Sequence, residues 1–235
     1  MTLQSTPPCW NRVSETGGLP DQFERFGQDR NWGSAVAVRI GPARGRIHII
    51  RDGDERLIQI QNSRFIYNWR KQQQGYPSYG QLLPEFRERF CDFCAFLDEM
   101  GLGAPGVNQW EVTYVNPLEQ GDLWQLPSDW KAILPGLYIP GQHVPGLDFE
   151  SLDGQWRLVI GENRGRLHVS LQHGIVAGPP PNREVVILQF TARGPVDEAH
   201  GMDLWSGFDL GHRAIVQCFT AMTSDDAHKR WQRRP

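Results

Sequence analysis

Two histidines stand at the same place in two copies of one phrase. His48 lies in Ile40-Gly41-Pro42-Ala43-Arg44-Gly45-Arg46-Ile47-His48-Ile49, and His168 in Ile160-Gly161-Glu162-Asn163-Arg164-Gly165-Arg166-Leu167-His168-Val169, with every matched pair 120 positions apart. An arginine precedes each histidine by two residues (Arg46, Arg166). Two imidazoles brought together could act as general acid and base on a scissile bond, with the guanidiniums on developing phosphate charge. The same residues suit a binding surface. Ile47 and Ile49 alternate with Arg46 and His48, as Leu167, Val169 and Leu171 alternate with Arg166, His168 and Ser170. If the apolar set packs under helices, the polar set shares the opposite face of a strand. By the same alternation Gln59, Gln61, Gln109 and Glu111 join that face.

Other pairings have simpler explanations. Cys91-Asp92-Phe93-Cys94 is a C-x-x-C, but it falls inside a helical pattern, and neither Cys9 nor Cys218 completes a zinc-ligand spacing. Asp209-x-x-His212 and Asp226-x-His228 place acids where they complement helix N-termini. Arg64-Phe65-Ile66-Tyr67-Asn68-Trp69-Arg70-Lys71 interleaves basic and aromatic residues as nucleic-acid stacking platforms do, yet aromatics beside a Phe-lined helix fit a core. The chain has no P-loop, G-x-G-x-x-G after a strand, G-x-S-x-G or H-E-x-x-H. No cofactor and no metal is therefore expected.

The elements that must position these residues follow from periodicity. Ala35 to Ile40, Arg46 to Arg51, Leu57 to Gln61 and Arg64 to Arg70 read as strands separated by Gly, Asp and Asn turns. Leu83, Phe86, Phe90, Phe93, Leu97 and Met100 step by three and four, one face of a helix. Its start is set either by Ser78 with Gln81, a capping box, or by Pro84, which prefers a first turn; Gly101 or Gly103 ends it. Gln109 to Asn116 alternates as a strand. Residues 117–153 hold five prolines and several glycines, the composition of a surface connector, with a short helix near Ser128 to Leu134. Strands then recur at Gln155 to Ile160, Arg166 to His173 and Glu184 to Ala192. A helix from about Phe208 to Met222, capped by Ser206, and a last short helix from Ser224 complete the chain.

Composition narrows the class. At 235 residues, with 39% apolar and 11% aromatic residues, the chain can bury a sizeable core. Its net charge of -3 gives no global case for nucleic acid or an anionic membrane. No stretch approaches a membrane span, Met1 to Gly18 lacks the pattern of a signal peptide, and four irregularly spaced cysteines suit a reducing compartment. A cytoplasmic location is expected.

The segments Leu57-Ile58-Gln59-Ile60-Gln61, Arg64-Phe65-Ile66-Tyr67-Asn68-Trp69-Arg70-Lys71, Tyr76-Pro77, Glu111-Val112-Thr113-Tyr114-Val115-Asn116 and Phe208-Asp209-Leu210-Gly211-His212, in that order, resemble a sporadically distributed family of uncharacterised prokaryotic proteins of about this length. The resemblance covers roughly residues 45–231. It implies no activity and no catalytic residues; the family's patchy occurrence associates it with mobile or defence genes. The chain departs from the family at residues 1–33, where members carry a strand-like segment.

These readings converge on an α+β fold: an internally duplicated two-layer sandwich, one mostly antiparallel sheet with a long amphipathic helix per half on one face. Residues 1–33 form an irregular segment, 34–116 the first unit, 117–153 the connector and 154–235 the second unit. The expected function is binding or regulation through the polar face, with Arg46, His48, Gln59, Gln61, Glu111, Arg166 and His168 as contact residues and another protein as partner. The alternative is a metal-independent hydrolase or ribonuclease using His48 and His168.

Overall fold

The computed structural model describes residues 38–40, 47–50, 55–69, 77–121, 123–141, 144–176 and 183–231. The expected segment 1–33, Arg46 and the first repeat's turn lie outside the described residues. The chain is α+β and divides into two units, Met1–Pro105 and Gly106–Pro235, each with its own antiparallel sheet. The single shared sheet expected from the repeat is thus replaced by two.

In the first unit, β1 (Val38–Ile40), β2 (Ile47–Ile50), β3 (Arg56–Gln61) and β4 (Arg64–Trp69) pair in sequence order as a meander. α1 (Tyr79–Glu99) follows. Ser78 starts it: its backbone N–H donates to Gln81 Oε1 at 2.8 Å, so the capping residues decide the start and Pro84 sits inside the helix. Gly101 ends it at φ 70°, with the Gly101 N–H on the Asp98 carbonyl and the Leu102 N–H on the Leu97 carbonyl, the paired bonds of a left-handed helix stop. Phe86, Phe90 and Phe93 meet Phe65 of β4 with ring centroids 5.9, 5.5 and 4.9 Å away. Arg56 of β3 holds Glu85 of α1 with two bonds of 2.6 and 3.0 Å, and the Tyr67 hydroxyl donates to the same carboxylate at 2.7 Å. The expected burial of the helix stripe is only partial, since no residue of α1 is fully buried.

The second unit carries β5 (Gln109–Glu119), β6 (Gly154–Ile160), β7 (Gly165–Val176) and β8 (Arg183–Pro195), in the spatial order β5-β8-β7-β6. β5 pairs with β8 over eleven residues, so it belongs to this unit and not, as its sequence position suggested, to the first. It also runs through Pro117, tolerable because β5 is an edge strand. α3 (Leu204–Met222) begins four residues earlier than expected, because Asp203 and not Ser206 caps it, accepting from the backbone N–H of Trp205 and Ser206. It packs Ile215 and Phe219 on the face made by Leu167, Val169, Leu188 and Phe190, the Phe190 and Phe219 rings 5.8 Å apart. α4 (Asp225–Arg230) is capped by Ser224.

Residues 117–153 are not a surface strap. Trp124, Trp130, Ile133, Leu134 and Ile139 are buried in the core, with α2 (Trp130–Ile133) carrying two of them. Apolar residues scattered among prolines hid this, since they follow no helical or strand period. His173 of β7 fastens the segment: its ring nitrogens bond Ser151 Oγ and Glu184 Oε2, both at 3.1 Å, and its ring meets Trp130 edge-on at 4.9 Å.

Candidate functional site

Cross-strand register shows which side chains share a face. In the second sheet, Leu167, Ala192 and Val112 stand in one row and Val169, Phe190 and Tyr114 in the next, all toward α3. The intervening residues point the other way. There Glu111, Arg193, Arg166 and Val159 form one row; Thr113, Thr191, His168 and Arg157 form the next; Val115, Gln189, Ser170 and Gln155 a third. The structure thus brings together Glu111, Arg166 and His168, with Gln109 at the same edge. It adds Arg157, Arg193 and Thr191, which the sequence reading passed over although β6 and β8 alternate with the same period of two.

This face is open and polar. Arg157, Arg166 and Arg193 are exposed, and Thr113 and Thr191 hydroxyls lie 3.0 Å apart in the middle of it. Arg193 reaches Glu111 at only 4.0 Å, and Arg166 donates to the Gly165 carbonyl at 2.9 Å. Among the described residues neither Arg157 nor Arg166 has an acidic partner. His168 titrates below the usual histidine value: partial burial disfavours its charged form, and Arg193, Arg157 and Arg166 repel a further proton while Glu111 only partly offsets them. At neutral pH the imidazole is neutral, and three guanidiniums face one carboxylate.

At the Arg166 end the face deepens into a cleft of about 490 Å³, lined by Asn108, Gln109, Asn163, Gly165, Arg166, Arg193 and Gly194. Behind the cleft, on the core side of the sheet, the packing is close. Trp110, fully buried, lies directly behind Gly165 and Gly194: a Cβ at Gly194 would come 2.6 Å from the indole, and one at Gly165 3.1 Å. Gly207 and Gly211 of α3 close the opposite side of the ring in the same way. Four buried glycines far apart in sequence therefore cradle one tryptophan.

The first sheet is different. His48 and Gln59 stand opposite each other on the face away from α1, as His168 stands away from α3. On that side Gln59, Ile50 and Leu57 are buried, and so is His48 Nε2. Gln61 is half-buried at the end of β3, and Arg46 lies outside the described residues. Gln59 and His48 share their side of the sheet with apolar Ile50, Leu57 and Ile66, so it is less polar than the alternation suggested.

The remaining chemistry-bearing pairs have partners. The Tyr114 hydroxyl and His212 Nδ1 are 2.7 Å apart, and burial holds His212 below the usual histidine range. His228 Nε2 meets Thr223 Oγ1 at 2.6 Å, and Asp226 binds Lys229 at 3.1 Å. Cys91 and Cys94 sit mid-helix in α1, with the Cys94 thiol pushed up by burial and by Cys91. Among the described residues no three His, Cys, Asp or Glu side chains gather as a metal site, and no helix is long and apolar enough to cross a membrane. Compared with known families, with curated proteins and with solved structures, the chain matches none.

Proposed function

We propose that this chain is a cytoplasmic binding or regulatory protein whose second sheet offers its open polar face to the acidic surface of another protein. The observation that supports this reading is the set of Arg157, Arg166 and Arg193 at one end of that face beside the carboxylate of Glu111, while Glu119 at the far end is paired with Arg183 at 2.8 Å. Charge complementarity of this kind steers encounter and selects partners more than it adds affinity. The test compares what immobilised wild-type chain and an Arg157→Glu, Arg193→Glu double variant retain from a lysate of the native cell. A protein held by the wild type and lost at least tenfold in the variant, with release by moderate salt, is the expected result. Equal retention by both would show that the face is not the binding surface.

We also propose that the two units descend from one duplicated element. The repeated phrase spans β1–β2 in one unit and β6–β7 in the other, and both hairpins continue into a third antiparallel strand. The register differs by two residues, Ile40 facing Ile47 but Ile160 facing Gly165, and an even shift leaves every side chain on its face. β4 then occupies beside β3 the place that β5 occupies beside β8, so the outer strand follows the meander in one unit and precedes it in the other. A crystal structure in which β1-β2-β3 superposes on β6-β7-β8 with His48 over His168 supports the proposal; histidines on opposite faces would end it.

A further inference from the structure

Arg166 and Arg193 are direct cross-strand partners on the open face of the second sheet. Like charges directly opposite destabilise an antiparallel pair, and the 4.0 Å contact of Arg193 with Glu111 offsets this only weakly. Their chains converge on the cleft at the end of the sheet, where Asn108 and Gln109 from the start of β5 and Asn163 from the β6–β7 turn supply neutral donors and acceptors. Asn163 is held at φ 65°, a left-handed conformation that asparagine tolerates, so the turn presents its side chain at the cleft rim. The volume, about 490 Å³, lies within the range of small-molecule sites. Among the described residues no Phe, Tyr or Trp belongs to this face and His168 supplies a single ring, so successive bases of a nucleic acid would find no series of rings to stack on.

Resting on the reading of this face as a binding surface, we infer that the cleft holds a small phosphomonoester, its phosphate between Arg166 and Arg193 and its polar body against Asn108, Gln109 and Asn163. Two guanidinium forks from neighbouring strands match the oxygens of a tetrahedral dianion, which answers their mutual repulsion. A nucleotide and a sugar phosphate share this chemistry.

Calorimetric titration of the full chain at low salt tests it, with inorganic phosphate, adenosine 5′-monophosphate, glucose 6-phosphate, adenosine and citrate as probes. Binding of inorganic phosphate and of at least one monoester, but not of adenosine, is expected, with Arg166→Gln and Arg193→Gln each weakening it about tenfold or more, as loss of a charge-assisted bond should. The monoester that binds more tightly than phosphate identifies the body the amide side chains recognise. Both arginines are exposed, and far-ultraviolet circular dichroism confirms that the variants fold. Perturbation of the Gly165 and Gly194 amide resonances by phosphate locates the ligand independently of substitution. No binding of any phosphate compound, equal affinity in the variants, or citrate bound as tightly as the monoesters would each overturn the inference. The wider reading fails separately, if Arg157→Glu, Arg193→Glu leaves partner retention unchanged while phosphate still binds the wild type.

Discussion

Gly207 lies so close to the indole of Trp110 that a Cβ at position 207 would stand 2.2 Å from Trp110 Cδ1. Neither group can yield: Trp110 is fully buried, and Gly207 is fixed in α3. Gly207→Ala is therefore expected to destabilise the second unit by about 1–3 kcal/mol through overpacking. Gly174→Ala is the control, since nothing lies within 4 Å of the Cβ it adds. Urea denaturation followed by tryptophan fluorescence should separate the two midpoints clearly.

In the first unit, Glu85 is the shared acceptor of Arg56 and Tyr67. Burial and the neighbouring carboxylate raise the Tyr67 phenol well above its ordinary value, so it remains a donor throughout the working range. Glu85→Ala strands both donors and should cost about 1–3 kcal/mol, whereas Tyr67→Phe, which removes one neutral bond, should cost about 1 kcal/mol. Thermal unfolding of the two variants checks the order.

His173→Ala removes the bonds to Ser151 and Glu184 together with the ring packed on Trp130. The expected cost is about 2–4 kcal/mol, from lost hydrogen bonds and a cavity beside Trp130. Limited proteolysis should then cut within residues 140–153 before any other part of the second unit, a change absent from the wild type.

His168 and His212 both titrate lower in the folded chain than the usual 6.5, each chiefly through burial. For His212, Asp209 opposes that shift and Arg213 reinforces it. The unfolded chain thus takes up protons that the folded chain refuses, and stability is complete above pH 6.5 and falls as pH drops below it. Unfolding free energies from urea titrations at pH 7.5 and 5.5 should show the loss, and His212→Asn should reduce it. A phosphate bound beside His168 would stabilise its charged form and diminish the fall further.

Local structure was legible wherever residues repeat with one period. The Phe86, Phe90, Phe93 stripe located α1, and the Leu167, Val169, Leu171 alternation located β7 and its polar face. Pairing between distant segments was not legible. β5 looked like part of the unit it follows in sequence, because nothing in Gln109–Glu119 says that its partner is β8. The burial of Trp124 and Trp130 within the proline-rich stretch 117–153 is not legible either, because it comes from tertiary packing and not from any period. The glycine ring around Trp110 is similarly invisible, since Gly165, Gly194, Gly207 and Gly211 meet only when the sheet and α3 are assembled. On the first sheet the alternation is weaker, because Ile50, Leu57 and Ile66 stand on His48's side beside Gln59 and Asn68.

The order β5-β8-β7-β6 puts the two strands joined by residues 120–153 on opposite edges of the sheet. Their connection must span three interstrand gaps, about 14 Å, and it fills the core on its way. The β6-β7-β8 meander needs only local closure, but β5 must find β8 across large separations, with Thr113 and Thr191 78 residues apart. A nucleus built on the meander, completed late by docking of β5 and its tryptophan-bearing crossover, is the route that loop-closure entropy favours. Until that docking occurs, Gln109 and the arginines of the cleft are apart, so the ligand site is among the last features of the molecule to form.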